Sequence, residues 1–230
     1  MDFAGSEFDG RKLAAFTLPM AAFLGLLGLG SVLRKLGGAF WLNSPEYWIY
    51  PAQTVFCGAL LCWFWREYEF RAARQILFTA SIALLVFALW IAPQAFLGFA
   101  PRLDGFNPEI FSGQPATYWA TVAVRFVRLV VVVPLIEEIF WRGFLLRYLV
   151  NEKFHTIPIG TSSWLSFTVV TVGFGFVHSP ADWIAALMTG ALYNGVAYRT
   201  KSLASCVLAH ALTNFVLGLW IMRTHQWGFW

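Results

Sequence analysis

The chain alternates long runs of uncharged, mostly apolar residues with short segments that carry its charges. Asp, Glu, Lys and Arg are absent from the ranges 13–33, 47–65, 75–101, 154–181, 183–198 and 202–222. A helix needs about 20 apolar residues to cross a bilayer, and a segment in lipid must satisfy its backbone hydrogen bonds internally. The pattern therefore predicts an all-α protein, a polytopic membrane bundle of about seven to eight transmembrane helices.

The predicted elements follow the uncharged runs. The spans are expected at 13–33, 48–65, 75–96, 164–178, 183–198 and 203–222, with a long charged helix at about 119–149 and a short interfacial helix at about 38–42. Residues 1–230 are expected to form a single integral membrane domain. The first run is predicted to be a retained span, because it is too long for a signal-peptide core and its leader contains Asp2, Glu7 and Asp9.

Composition narrows the class of protein further. Hydrophobic residues make up 59% of the chain and charged residues 12%, against roughly 25% charged in a soluble domain. The net charge is +4, but the 16 Lys and Arg lie at segment ends rather than on one face. These features exclude a disordered chain, a nucleic-acid-binding domain and an ordinary soluble enzyme. The three cysteines lie in apolar runs without disulfide or zinc-ribbon spacing.

Loop charges predict the orientation in the membrane. The segment 66–74 contains three Arg, 142–153 contains three basic residues and 199–201 contains two, whereas 101–118 contains one. Cytoplasmic loops carry an excess of Lys and Arg, so these three segments and the N-terminus are predicted to be cytoplasmic. The pair Arg34 and Lys35 opposes this orientation weakly, since it falls on the other side.

Ionisable side chains in the apolar runs are candidate functional residues, because burying them in a bilayer is costly. The long helix carries adjacent carboxylates, Glu137 and Glu138, with Arg142 one turn after Glu138. An i,i+4 pair can neutralise Glu138 and leave Glu137 as a desolvated carboxylate suited to a general base. The alternative is a purely structural salt bridge at a helix end.

Two further pairs share the i,i+4 spacing, Phe174 with His178 and His210 with Asn214, and each pair is predicted to lie on one helix face. At about 1.5 Å per residue, Glu137, His178 and Asn214 lie roughly 18, 21 and 16 Å from the predicted cytoplasmic ends of their helices. These similar depths predict a mid-membrane polar cavity that admits water.

Other residues in the second half of the chain have structural interpretations. Asn194 either lines the cavity or joins helices by hydrogen bonding, and the second is favoured. Arg125 and Arg128 are expected to extend towards the membrane surface. Pro134 is expected to deprive the Val130 carbonyl of its helical partner and so to open a wettable notch near the site.

The ordered motifs Glu137-Glu138-x-x-x-Arg142, Phe174-x-x-x-His178 and His210-x-x-x-Asn214 resemble the CAAX-protease and bacteriocin-processing (CPBP) family of intramembrane glutamic endopeptidases. The resemblance covers about residues 123–215. It implies a hydrolase without metal or cofactor that acts on a membrane-associated protein or peptide, with N-terminal spans in 1–117 and a catalytic core in 118–222. The first three spans resemble a bacterial subgroup that accompanies exosortase-type sorting systems, which implies a prokaryotic plasma membrane.

The resemblance also implies roles for the candidate residues. Glu137 is expected to activate water, assisted by His178, in a cavity open to the cytoplasm or laterally to lipid. Glu138 and Arg142 are expected to shape the electrostatics of the site. His210 and Asn214 are expected to stabilise the oxyanion. Those expected to line the cavity around the substrate are Phe174 and Asn194.

Three other functions stay open at this point. A zinc-dependent intramembrane metalloprotease could use the same Glu and His residues, although no His-Glu-x-x-His motif occurs and Arg142 would oppose a cation. A non-enzymatic scaffold or immunity protein could hold a structural polar cluster. A small transporter is less favoured, because the chain has no two halves with matching broken helices.

Overall fold

The structure is a computed structural model that describes residues 10–230, and this part of the chain is helical without strands. Its eight α-helices are α1 (Gly10–Leu36), α2 (Phe40–Asn43), α3 (Glu46–Trp63), α4 (Ile76–Phe96), α5 (Pro115–Tyr148), α6 (Trp164–Phe176), α7 (Trp183–Thr200) and α8 (Leu203–Thr224). The predicted all-α fold is confirmed. The leader charges Asp2, Glu7 and Asp9 and the N-terminus lie outside the described residues.

Four of these helices, α1, α4, α5 and α8, are long and apolar enough to cross a membrane. Helices α3 and α7 have 18 residues each and α6 has 13. The predicted short interfacial helix is present as α2. The span predicted at 164–178 is too long, because α6 ends at Phe176 and His178 lies in the turn beyond it. Pro180 follows closely, and a proline disfavours helical backbone in the residue before it.

Two glycines allow α6 to pack closely against its neighbours. A Cβ atom at Gly173 would lie 3.0 Å from the Trp141 ring of α5, and one at Gly175 would lie 2.7 Å from the Leu187 side chain of α7. Both glycines therefore permit close approach of the helices. As a result Phe174, which lies between them, is buried between α5 and α7.

Helix α5 contains two π-helical segments, Arg128–Val132 and Ile139–Leu145. In a π turn a carbonyl pairs with the N–H five residues later, and Pro134 has no N–H. The carbonyl left without a backbone donor is therefore that of Leu129, not that of Val130 as predicted. Asn214 of α8 donates to it through Nδ2 at 2.8 Å. The free carbonyl near the site is thus bonded to Asn214, a motif residue, instead of forming the predicted wettable notch.

The three basic segments lie at one end of the bundle, which we call the basic end. Arg147 of α5 approaches Glu69 at 3.6 Å, and Gln75 donates to the Arg199 carbonyl at 3.2 Å. These contacts confirm that the three basic segments lie on one side, as the sequence predicts. The opposite end, called the loop end, consists of residues 97–114, 177–182 and 225–230, where the Gly228 N–H donates to the Arg102 carbonyl at 2.9 Å.

Candidate active site

Five of the eight candidate side chains line one cavity of about 340 Å³. They come from α5, from α8 and from the end of α6, and they are Glu137, Phe174, His178, His210 and Asn214. The structure thereby brings together the three motifs that are far apart in the sequence. The other three candidates, Glu138, Arg142 and Asn194, lie behind the wall of the cavity.

Arg142 is the centre of a buried ion cluster beneath the cavity. Its Nη1 lies 3.1 Å from both carboxylate oxygens of Glu138, and its Nη2 donates to the Gly190 carbonyl at 2.9 Å. Its Nε donates to Oδ1 of Asn194 at 3.0 Å. Both charged side chains are completely buried. A buried ion pair is stable only when additional hydrogen bonds satisfy its remaining polar atoms, and here Asn194 and the Gly190 carbonyl provide them.

Asn194 is absent from the described residues that line the cavity, so its predicted place in the cavity wall is corrected. Besides accepting from Arg142, its Nδ2 donates to the Phe167 carbonyl at 3.3 Å and to Oγ1 of Thr171 at 3.1 Å. Asn194 therefore joins α7 to α5 and α6, which is the role that the sequence favoured.

The two adjacent carboxylates have opposite environments. Glu138 also receives a bond from His210, whose Nδ1 lies 2.9 Å from Oε1 of Glu138. Glu137 faces the cavity, and its buried Oε2 has no hydrogen-bond partner among the described residues. Successive residues of a helix project about 100° apart, which explains how one carboxylate is held in the ion cluster while its neighbour stays available.

His178 is oriented by the backbone of α6. Its Nδ1 lies 2.8 Å from the Phe174 carbonyl, which can only accept, so Nδ1 carries the proton and Nε2 is left as an acceptor in the neutral ring. The imidazole packs against Phe174 at a ring-centroid distance of 4.9 Å and against Trp90 at 5.6 Å. These contacts keep the i,i+4 relation of the motif although His178 is beyond the helix.

The far wall of the cavity is formed by α7 and α8. The hydroxyl of Tyr193 donates to Oγ1 of Thr213 at 2.8 Å, and the ring of Tyr193 lies 5.4 Å from that of His210. Asn214 uses one amide hydrogen for the Leu129 carbonyl, and a primary amide has two. This wall therefore contributes to the cavity an Asn with a second amide hydrogen and a His whose Nε2 donates only when the ring is protonated on both nitrogens.

Sequence reasoning missed the aromatic residues of the cavity wall. Trp90 of α4 and Tyr193 of α7 both line the cavity, and Nε1 of Trp90 donates to Thr189 at 2.9 Å. Aromatic residues make up 18% of the chain, so no pattern distinguishes these two from the others.

The prediction for Arg125 and Arg128 is wrong. Both side chains are 4% exposed and line the cavity instead of reaching the membrane surface. Helix α5 begins at Pro115, four residues before its predicted start, so Arg125 lies about 15 Å along the helix. At that depth a side chain cannot easily extend to water. If the start of α5 had been predicted correctly, Arg125 and Arg128 would have been expected to face the interior of the protein.

The cavity opens at the loop end. Its outer part is lined by Arg102, Ser179, Asp182, Phe229 and Trp230, and Arg102 forms an ion pair with Asp182. The fully buried ion cluster closes it towards the basic end. The predicted opening is either to the cytoplasm or laterally to lipid, and the first alternative does not agree with an opening at the end opposite the basic segments. The exposed side chain of Leu24 in α1 also lines the cavity, so one wall reaches the lipid-facing surface.

No metal-binding group is evident within residues 10–230, where no three His, Cys, Asp or Glu side chains are placed to hold an ion together. Glu138 lies next to His210, but Arg142 already contacts both oxygens of that carboxylate.

Comparison with known proteins relates part of the chain to a protein family. No curated protein and no solved structure matches the chain significantly. The family model described as type II CAAX prenyl endopeptidase Rce1-like matches residues 117–216, which include all three motifs but less than half of the 230 residues. The link to exosortase systems stays a prediction. The family predicted from the motifs is confirmed for this region, because residues 117–216 match the model of the Rce1-like type II CAAX prenyl endopeptidases, a protease family.

Proposed function

We propose that this protein is an intramembrane glutamic endopeptidase that hydrolyses a peptide bond in a membrane-associated protein or peptide. The observation that carries the proposal is the difference in hydrogen bonding between the two adjacent carboxylates. Glu138 is bonded to Arg142 and His210 in the ion cluster, whereas Glu137 faces the cavity with an oxygen to which no described residue is bonded. The Rce1-like family match supports peptidase activity, and the apolar helices support a substrate in or at the bilayer.

The first step is activation of water. A water molecule in the cavity donates one hydrogen bond to the Glu137 carboxylate and the other to Nε2 of His178, which has a free lone pair because Nδ1 is bonded to the Phe174 carbonyl. Glu137 takes a proton as the water oxygen attacks the carbonyl carbon of the substrate. General-base catalysis of this kind contributes about 10²–10⁴-fold to a rate.

The second step stabilises the negative charge that develops on the substrate oxygen. Asn214 has a second amide hydrogen for this oxygen, and His210, when protonated on both nitrogens, donates from Nε2 while Nδ1 donates to Glu138. Donors that are held in place before the reaction are more effective than water, because they need no reorganisation. The ion cluster positions His210 through Glu138.

The third step breaks the carbon–nitrogen bond. The tetrahedral intermediate collapses, the amine departs, and Glu137 returns its proton to the leaving nitrogen with the assistance of His178. The second proton of the water passes from the new carboxyl group to the amine, so the products are a carboxylate and an ammonium group and the residues of the protein return to their starting state. No metal or cofactor takes part in these steps.

The substrate reaches the cavity from the non-cytoplasmic side. The cavity opens at the loop end, and the basic residues that mark a cytoplasmic surface lie at the opposite end. The cleaved segment therefore belongs to a protein whose reacting part has crossed the membrane. In intact cells, a membrane-impermeant maleimide should label Ser179→Cys at the loop end and leave Glu152→Cys at the basic end unlabelled until the cells are permeabilised.

Both cysteines are introduced with Cys62→Ser, because Cys62 is the exposed native thiol whereas Cys57 and Cys206 are buried. Ser179 and Glu152 are exposed, so a difference between them reports the side of the membrane. Labelling of Glu152→Cys alone in intact cells would reverse the orientation while leaving the proposed chemistry intact.

The experiment that tests the proposed function compares cells that contain the wild-type protein with cells that contain Glu137→Gln. Mass spectrometry of protein termini should reveal at least one membrane protein that accumulates unprocessed in the Glu137→Gln cells. If the two kinds of cells process the same proteins, the alternative function, a non-enzymatic scaffold or immunity protein, is favoured. Cleavage that disappears with removal of a stoichiometric zinc ion would favour the metalloprotease instead.

A further inference from the structure

Arg125 and Arg128 are buried cations that form no ion pair with any residue of the described part of the chain. They line the cavity between its mouth and Glu137, and neither belongs to an ion pair formed by the described residues. Within residues 10–230, Nε and Nη1 of Arg125 also have no hydrogen-bond partner. A buried charge without compensation is costly, so the position of these two side chains needs an explanation that packing does not give.

The immediate neighbours of the two arginines are neutral. The Tyr50 ring lies under both guanidinium groups, 4.7 Å from Cζ of Arg125 and 4.2 Å from Cζ of Arg128. Nε of Arg128 donates to Oε1 of Gln53 at 2.8 Å, and the Phe106 ring lies 4.9 Å from Cζ of Arg125. Aromatic faces attract a cation, but they leave its charge uncompensated.

The carboxylates in the vicinity do not balance the two charges. The Glu46 carboxylate attracts the Arg125 guanidinium group, and the Glu137 carboxylate attracts that of Arg128. Glu46 is already bonded to Arg34 at 2.8 Å, and Asp182 at the mouth is paired with Arg102. Among the described residues that line the cavity, Glu137 is therefore the carboxylate left for the two arginines. The wall between the mouth and Glu137 therefore carries excess positive charge, which is what a binding site for an anionic group requires.

We propose that Arg125 and Arg128 bind a carboxylate of the substrate about four residues from the scissile bond; this rests on the proposed function. Arg128 precedes Glu137 by nine residues of α5, which is about 13 Å at 1.5 Å per residue. An extended peptide covers that distance in about four residues. Guanidinium groups bind carboxylates through paired hydrogen bonds, and the arginines then select substrates by charge at that position.

The charge of the cavity can be measured without turnover. Leu217 lines the cavity and is nearly buried, so Leu217→Cys with Cys62→Ser places a thiol there. The purified full-length protein is treated with an anionic and a cationic methanethiosulfonate of similar size. After normalisation to a free thiol, the anionic reagent should react at least about tenfold faster than the cationic one, as two nearby charges in a weakly polar site predict.

Three additional variants test the assignment to the arginines. Arg128→Gln and Arg125→Gln should each lower the ratio of the two rates at least about threefold, whereas Arg128→Lys should preserve most of it because the charge is kept. Arg223→Gln, which removes an exposed charge at the end of α8, should leave the ratio unchanged. A ratio that Arg125→Gln and Arg128→Gln do not alter would overturn the proposal.

The source of the anion is tested by protection of the same thiol. A short apolar peptide with a free terminal carboxylate should slow the labelling of Leu217→Cys at least about fivefold more than its amidated twin, and Arg128→Gln should abolish the difference. If phosphatidylglycerol vesicles protect the thiol and phosphatidylcholine vesicles do not, while the two peptides act alike, the site binds a lipid phosphate and the substrate assignment is wrong. Because labelling needs no cleavage, this proposal can fail while the proposed function holds.

Discussion

Replacement of Glu137 by Gln is expected to lower the rate of cleavage at least about 100-fold, the lower scale for loss of a general base. Gln keeps the shape of the side chain but cannot accept a proton from water. Oε2 of Glu137 has no hydrogen-bond partner among the described residues, so the change breaks no bond that holds the fold. The rate is measured in detergent on a peptide derived from the protein that accumulates in Glu137→Gln cells.

The matched control for this variant is Glu109→Gln. It makes the same chemical change at an exposed carboxylate of the loop end, which contacts His225 at 2.7 Å, and its cleavage rate should stay close to that of the wild type. Thermal unfolding of Glu137→Gln should match the wild type as well. Cleavage by Glu137→Gln within roughly threefold of the wild type would contradict the proposed mechanism.

Replacement of Arg142 by Ala is expected to lower the free energy of unfolding by about 3–5 kcal/mol, the usual loss when one partner of a buried ion pair is removed. Glu138 would then be left as a completely buried carboxylate with His210 as its partner. Asn194 and the Gly190 carbonyl would also lose their bonds from the guanidinium group. Helices α5 and α7 should separate more easily as a result.

The loss of stability is measured by thermal and denaturant unfolding in a defined detergent. Arg223→Ala is the control, since Arg223 is exposed and should change the free energy of unfolding by less than about 0.5 kcal/mol. Replacing Glu138 by Leu and Arg142 by Met together should recover part of the loss, because neither charge then remains buried without a partner. A loss below about 1 kcal/mol for Arg142→Ala would show that the ion cluster does not stabilise the bundle.

Much of the architecture follows from simple properties of the sequence. The charge-free runs mark the helices, because a bilayer imposes one length and one type of backbone hydrogen bonding on them. The spacing of Glu138 and Arg142 predicts their contact, which the structure shows at 3.1 Å. The order of the three motifs also predicts the family by resemblance, and the family model matches the region that contains them.

The features that could not be predicted depend on backbone geometry. Residues nine positions apart face opposite sides of an ideal helix, so Arg128 and Glu137 would not be expected to share a cavity. The π segment Arg128–Val132 lies between them and rotates one part of α5 relative to the other. Likewise, α6 ends two residues before His178. Neither a π segment nor the end of a helix can be read reliably from hydrophobic pattern alone.

The central claim is that Glu137 and His178 act on the same water molecule, and a double-mutant cycle tests it most directly. Cleavage rates are measured for Glu137→Gln, His178→Ala and the variant that contains both changes. Residues that act as one unit give strongly non-additive losses. We therefore expect the double variant to be no more than about threefold slower than the slower single variant. Losses that multiply would mean that the two residues act independently, and would contradict the account.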